Sequence, residues 1–250
     1  MSEDIEHQKI IEDKKEDESD IPTGVAAVSS SEEHPQPVNR GKVIITTINI
    51  TRDILSGIMR FLASIFFISA SVHFHYDMWD KVNIQNTGNR QGGLFMTGFA
   101  LFGIALALEF PKNYQTQGPS LTSVLVSMLS VLLLFIASML IVIPSVNDRD
   151  AFAGVFIVGS LMLGISQSVE LGIYLRREDG EGISNLRVTS MALSVLGSFF
   201  FFLAGVFFTE EVVTDAYYFY KAIERHTALF VVGSIAYLLH AICYLIGASK

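Results

Sequence analysis

Six stretches of the chain stay apolar long enough to cross a bilayer: residues 54–72, 94–110, 121–143, 151–175, 188–208 and 228–246. Each approaches the ~20 residues that a helix rising 1.5 Å per residue needs to span ~30 Å of hydrocarbon. None alternates with period two, and only helices or closed barrels satisfy every backbone group in lipid. The pattern therefore predicts an all-α polytopic membrane protein with six transmembrane helices. The second run is the shortest and gains length by taking in Gly92 and Gly93. No proline falls inside a run, and Pro111, Pro119 and Pro144 are expected to punctuate the connections.

Ahead of the first run the pattern changes. Residues 1–42 are polar and acidic, with too little apolar surface to offset the entropy of ordering, so a disordered tail is expected. It serves either as a solvated segment or as a docking or phosphorylation tail around Ser29, Ser30 and Ser31. Residues 43–53 are β-branched and amphipathic, which predicts a lead-in along the membrane surface that continues into the first helix. The first twenty residues have no apolar core of a secretory signal, so the first hydrophobic helix is expected to act as an internal anchor.

The apolar runs are not independent of one another. Leu94-Phe95-Met96-Thr97-Gly98-Phe99, Val155-Phe156-Ile157-Val158-Gly159-Ser160 and Leu229-Phe230-Val231-Val232-Gly233-Ser234 share the form apolar-Phe-x-x-Gly in the even-numbered runs. The odd-numbered runs carry Phe67-Ile68-Ser69-Ala70, Phe135-Ile136-Ala137-Ser138 and Phe202-Leu203-Ala204-Gly205. From that Phe to the next motif Phe is 28, 21 and 28 residues. Such regularity predicts three parallel two-helix repeats, about 54–110, 121–175 and 188–246, related by an axis along the membrane normal. Helices in lipid gain by close approach through small residues, so Gly98, Gly103, Gly159, Gly164 and Gly233 are expected at helix contacts, as is the stripe Ser160, Gly164, Ser168.

Paired helices carrying Leu-Phe-x-x-Gly-Ser resemble the YrhK-like two-helix membrane domain. The resemblance covers residues 54–246 and is strongest in the even runs; the first copy departs from it, with Phe99 where serine would stand. It implies membrane location and a helical-hairpin fold, and it assigns no catalytic residues.

Composition adds a contrast between tail and body. The chain is 50% hydrophobic and 17% charged, with a net charge of −8, and 12 of its 25 acidic residues lie before residue 54. No basic face exists to suit nucleic acid. The single cysteine, Cys243, excludes an internal disulfide and a CxxC site. Arg40, Lys42, Arg52, Lys112, Arg176, Arg177, Arg187 and Lys250 flank one side, against Lys81, Arg90, Arg149, Lys221 and Arg225 on the other. The positive-inside rule then places both termini in the cytosol and makes the aromatic stretches 75–80 and 215–220 interfacial anchors.

Few residues offer chemistry. Glu109 and Glu170 each stand eleven residues beyond a motif glycine, at matched depth, where the third copy has Tyr244. An intramembrane carboxylate is costly and is a candidate for ion or proton handling, against an interfacial role near Pro111 and Arg176. Arg60, near the same side, either pairs with one of these acids or snorkels to the interface. Gln167 is placed to hydrogen-bond across helices. His73 and His75, with Asp77 and Asp80, are the most metal-like group, weighed against a polar interfacial turn. His240 reads as a hydrogen-bonded packing residue.

No Walker loop, zincin, nucleophile-elbow or kinase signature is present, so neither enzyme activity nor a cofactor is expected. The expected partners are the lipid bilayer and either a second copy or another membrane protein. Three readings remain open: a non-enzymatic packing or partner-binding protein, a small-solute or ion channel or transporter using Glu109 and Glu170, and a metal-handling protein.

Overall fold

The computed structural model describes residues 40–73, 84–116, 119–143, 149–176, 184–213 and 216–248. They form six helices: α1 (Arg40–His73), α2 (Ile84–Thr116), α3 (Pro119–Val142), α4 (Arg149–Leu175), α5 (Asn185–Val213) and α6 (Ala216–Ala248). Each contains a segment of 21 to 26 residues long and apolar enough to cross a membrane, and the described residues include no strand. Residues 1–39 of the acidic tail, the 75–80 stretch and Pro144 lie outside the described residues, while Arg40, Gly41 and Lys42, expected in the disordered tail, open α1.

The helices outrun the apolar runs, because a helix does not stop where hydropathy falls. Residues 40–53 form the first turns of α1 and are continuous with its span. Residues 216–220, expected in a connection, open α6. The second span runs Arg90–Phe110 and takes in both glycines that its short apolar run needed. Pro119 begins α3, where its missing N–H costs nothing. Pro111 was expected to end a helix, yet α2 continues through it to Thr116. The ring removes one backbone donor near the end of the helix, and the last turn and a half forms beyond it.

Each helix packs against its neighbours in the chain, and α6 closes against α1, so the six form a ring. Only 33% to 44% of each span is buried, and the outward faces carry Leu125, Leu129, Leu132, Val158, Ile165 and Phe199 at about half exposure. Helices apolar on both faces suit lipid outside and protein inside. The buried faces are the more polar ones, rich in serine. Many of these hydroxyls bond back to the carbonyl four residues earlier, as Ser64, Ser71, Ser138, Ser160 and Ser234 do, which makes serine tolerable away from water. Ser71 also meets Ser234 at 3.1 Å where α1 and α6 close the ring.

Each hairpin makes the same contacts. A Cβ placed on Gly98 would fall 2.5 Å from the Phe67 ring, one on Gly159 2.9 Å from Leu134, and one on Gly233 2.7 Å from Phe201. The nearest carbonyls behind these are those of Ala63, Ser130 and Gly197. Ala70, Ala137 and Ala204, all 0% exposed, follow at the same constant interval along the chain. These contacts put Leu134 and Phe201 in the place of Phe67, one residue earlier than Phe135 and Phe202, which the sequence motif had aligned with it. Phe135 and Phe202 are only partly buried, on the next position around the helix.

All three glycines of the apolar-Phe-x-x-Gly motif sit at close approach. Gly103 and Gly164 are different: a Cβ there would sit at ordinary contact, 3.5 Å from Val131 and 3.4 Å from Ser198. They leave room for a methyl group and are not required for close packing. Other glycines are, and the motif did not mark them, among them Gly92, where a Cβ would fall 2.6 Å from Val142 and 3.1 Å from the Ser138 carbonyl. Gly57 lies under Leu245, and Gly197 faces Gly233, so that a Cβ on either would come 3.1 Å from the other's carbonyl oxygen.

The three motif phenylalanines converge. Phe95, Phe156 and Phe230 are at most 1% exposed, and their ring centroids lie 5.4 to 6.3 Å apart. Phe67, Phe201 and Tyr237 add further ring contacts around this triangle, with centroid separations in the range favoured by aromatic pairs. The middle of the bundle is thus filled with aromatic rings.

Candidate functional site

On one side of this aromatic layer, toward the end at which α1 begins and α6 finishes, the bundle interior is polar. A cavity of about 90 Å³ is lined by Arg60, Glu109, Ser127, Gln167, Glu170, Arg187, Ser194, His240 and Tyr244, with Asp53 at the same end. A water needs ~10–15 Å³ of such space, so several fit.

Three residues spaced alike on the odd helices reach into this region: Ser56, Ser123 and Ser190, all buried. Each meets the position seven residues after the motif glycine of its partner helix. The Ser56 hydroxyl lies 3.2 Å from the Ala105 carbonyl, that of Ser123 2.8 Å from the Ser166 carbonyl, and that of Ser190 3.1 Å from the His240 carbonyl. One turn further along each odd helix stand Arg60, Ser127 and Ser194, again all buried. Four residues further along each even helix stand Glu109, Glu170 and Tyr244.

Arg60 is 6% exposed, and each of its three nitrogens has a partner. Nη2 donates to Glu109 Oε2 at 2.8 Å, Nη1 to His240 Nε2 at 2.9 Å, and Nε to Ser56 Oγ at 3.5 Å. The Ser56 hydroxyl donates to Glu109 Oε1 at 2.7 Å. The guanidinium also lies 5.1 Å from the ring centroids of both Phe102 and Tyr244. Side chains on a helix lean toward its N-terminus, which carries the Arg60 head from mid-span toward the level of Glu109. Of the two alternatives for Arg60, pairing is the one observed.

The arginine fixes the state of His240. A guanidinium can only donate, so Nε2 accepts and the proton of the neutral ring is on Nδ1, which donates to the Ser190 carbonyl at 2.8 Å. His240 is therefore a hydrogen-bonded structural residue, as expected, and it orients Arg60 as well.

Glu170 differs from Glu109. Among the described residues no donor lies within hydrogen-bonding distance of its carboxylate, although it is half-buried and lines the same cavity. The place that Arg60 takes in the first hairpin is held in the second by Ser127, whose hydroxyl turns to Ser166 Oγ at 2.7 Å. Gln167, one turn before Glu170, accepts from Ser198 at 2.8 Å across the α4–α5 seam.

Of the metal candidates, only His73 lies among the described residues. His73 ends α1 with Nδ1 2.7 Å from the Ser69 carbonyl, and His75, Asp77 and Asp80 lie outside the described residues. Among the described residues no three metal-ligating side chains cluster. Reading the sequence missed Ser56, Ser123, Ser190 and Ser127; their signal was the constant interval along the odd helices, which a search for charged residues passes over. Comparisons with protein-family models, curated proteins and solved structures give no match, so the six-span helical bundle and this cavity describe the chain by themselves.

Proposed function

We propose that this multi-pass membrane protein binds the cationic group of a small solute at Glu170 and carries it, with the three hairpins acting as copies of one unit. The observation behind this is the pairing of two equivalent carboxylates. Glu109 has a guanidinium in front of it, and Glu170 has a serine and open volume in front of it. A half-buried carboxylate with no hydrogen-bond donor against it is costly, and a ligand cation supplies at contact what Arg60 supplies to Glu109. The cavity gathers the carboxylates Asp53, Glu109 and Glu170 against Arg60 and Arg187, a balance that favours a cation. A purely packing role gives no reason to hold Glu170 in this way.

The reading is one of binding and transport, without enzymatic chemistry. The aromatic layer argues for a gated carrier over an open channel. The Lys and Arg bias would open the cavity to the cytosol. The likeness to the YrhK-like hairpin, carried by the motif alone, is part of the same proposal.

Guanidinium itself is the natural probe, being the group that faces Glu109. Proteoliposomes of the full chain should take up radiolabelled guanidinium above empty vesicles. Glu170→Gln should slow uptake roughly tenfold or more, the equivalent of a charged hydrogen bond of about 1.5–3 kcal/mol. Wild-type uptake equal to that of empty vesicles would remove the proposal.

A further inference from the structure

Outside the ring, α4 and α5 leave a second space. A groove of about 430 Å³ runs between Leu161, Ile165 and Val169 of α4 and Val195, Phe199 and Phe202 of α5, and opens toward lipid. Ser160, Gly164 and Ser168 are on its floor. The small-residue stripe of α4, expected at a tight helix contact, therefore borders a groove along much of its length. From Ser160 to Val169 the groove follows nine helical steps, ~13 Å at helical rise. It reaches from the middle of the α4 span, Ala151–Leu175, toward the end that holds the polar cavity. That length matches an acyl chain in one leaflet.

Groove and cavity share a wall. Val169 lines the groove and Glu170, the next residue, lines the cavity. On α5, Val195 lines the groove and Ser194 the cavity. Ser198 borders the groove while its hydroxyl meets Gln167 and Tyr237 on the inner side. Arg187, which also lines the cavity, is exposed and stacks over Tyr174 at 4.9 Å. An apolar groove of about one leaflet's depth thus ends beside Glu170, a carboxylate with no hydrogen-bond donor against it among the described residues, with Arg187 on the cavity behind.

Resting on the reading of Glu170 as a cation seat, we infer that the same seat also takes the headgroup of an aminophospholipid. One acyl chain lies in the α4–α5 groove, the phosphate meets Arg187, and the primary ammonium reaches Glu170. The charges are complementary at both ends of the headgroup, and the groove explains why small residues line a lipid-facing seam.

Native mass spectrometry of the full chain in micelles tests this, with phosphatidylethanolamine and phosphatidylglycerol of identical acyl chains as probes. The wild type should retain the ethanolamine lipid at roughly tenfold lower concentration, about 1.4 kcal/mol. Glu170→Gln should bring the two lipids level. Ser168→Phe, which fills the groove from an exposed position, should weaken both lipids while leaving guanidinium uptake in phosphatidylglycerol vesicles unchanged. Val195→Phe should do the same from the opposite wall. Equal retention of both lipids by the wild type overturns the headgroup assignment, and undiminished retention in both filled variants overturns the groove. If guanidinium uptake depends on Glu170 while either lipid result fails, this inference falls and the cation seat stands. If uptake also fails, both fall.

Discussion

Arg60 and Glu109 close a salt bridge of 2.8 Å between α1 and α2, with their side chains 7% and 15% exposed. The other two nitrogens of the guanidinium each have a partner as well. Removing one partner alone strands a charge, and Glu109→Ala should cost about 3–5 kcal/mol. Replacing both, as in Arg60→Met with Glu109→Leu, should recover most of that loss. Unfolding in micelles of the wild type, Arg60→Met, Glu109→Leu and the double variant forms a double-mutant cycle; single losses that add up to the double loss would show that the bridge contributes nothing.

The same cavity gives a sharper test through its second carboxylate. Ser127→Arg places on α3 the residue that α1 already has, opposite Glu170 as Arg60 is opposite Glu109. The built-in guanidinium should abolish uptake of added guanidinium while the protein stays folded. Uptake at the wild-type rate would move the seat away from Ser127 and Glu170.

His240 should show one protonated ring nitrogen, Nδ1, in nitrogen NMR of the labelled protein, with Nε2 bare as the acceptor of Arg60. His240→Ala leaves a buried donor of Arg60 without a partner, at a cost of about 1–3 kcal/mol. A spectrum with Nε2 protonated would contradict the arrangement.

The glycines separate into two classes. Alanine at Gly98 or Gly233 meets an aromatic ring at 2.5 to 2.7 Å with a carbonyl close behind, and should cost about 1–3 kcal/mol. Alanine at Gly103 or Gly164 meets only ordinary contacts and should stay within about 0.5 kcal/mol of the wild type. Thermal unfolding of the four single variants distinguishes the classes.

Phe156 belongs to the ring triangle, and Phe199 faces lipid at 52% exposure. Phe156→Ala should lower stability by about 3–5 kcal/mol and raise proton leak through proteoliposomes. Phe199→Ala should change neither. A leak as low in the first variant as in the second would mean that the triangle is not the barrier.

The six spans were legible because hydropathy over twenty residues is a strong signal and lipid allows few solutions. The matched depth of Glu109 and Glu170 was legible too, since counting from a motif glycine needs no tertiary information. The frame of the odd helices was read one residue out of step. Adjacent phenylalanines, Phe201 and Phe202, look alike in sequence but point to different neighbours, and only contact with Gly233 selects the first. Gly164 was read as a packing residue because a small side chain allows close approach; whether the facing helix uses that allowance is decided by side chains on α5. The partner of Arg60 could not be chosen from spacing, since two acids stood at one depth and the order of helices around the ring decides between them.

That order has a consequence for biosynthesis. The bond from Arg60 to His240 joins residues 180 positions apart, and it forms where the last helix meets the first. A ribosome adding ~5–20 residues per second takes many seconds to cover that distance. Throughout that interval α1 is in the membrane with Glu109 as its first available counter-charge and one flank uncovered. The hairpin α1–α2 thus has to neutralise its own charge before the rest of the protein exists, and the final helix arrives as the clasp that seals the ring.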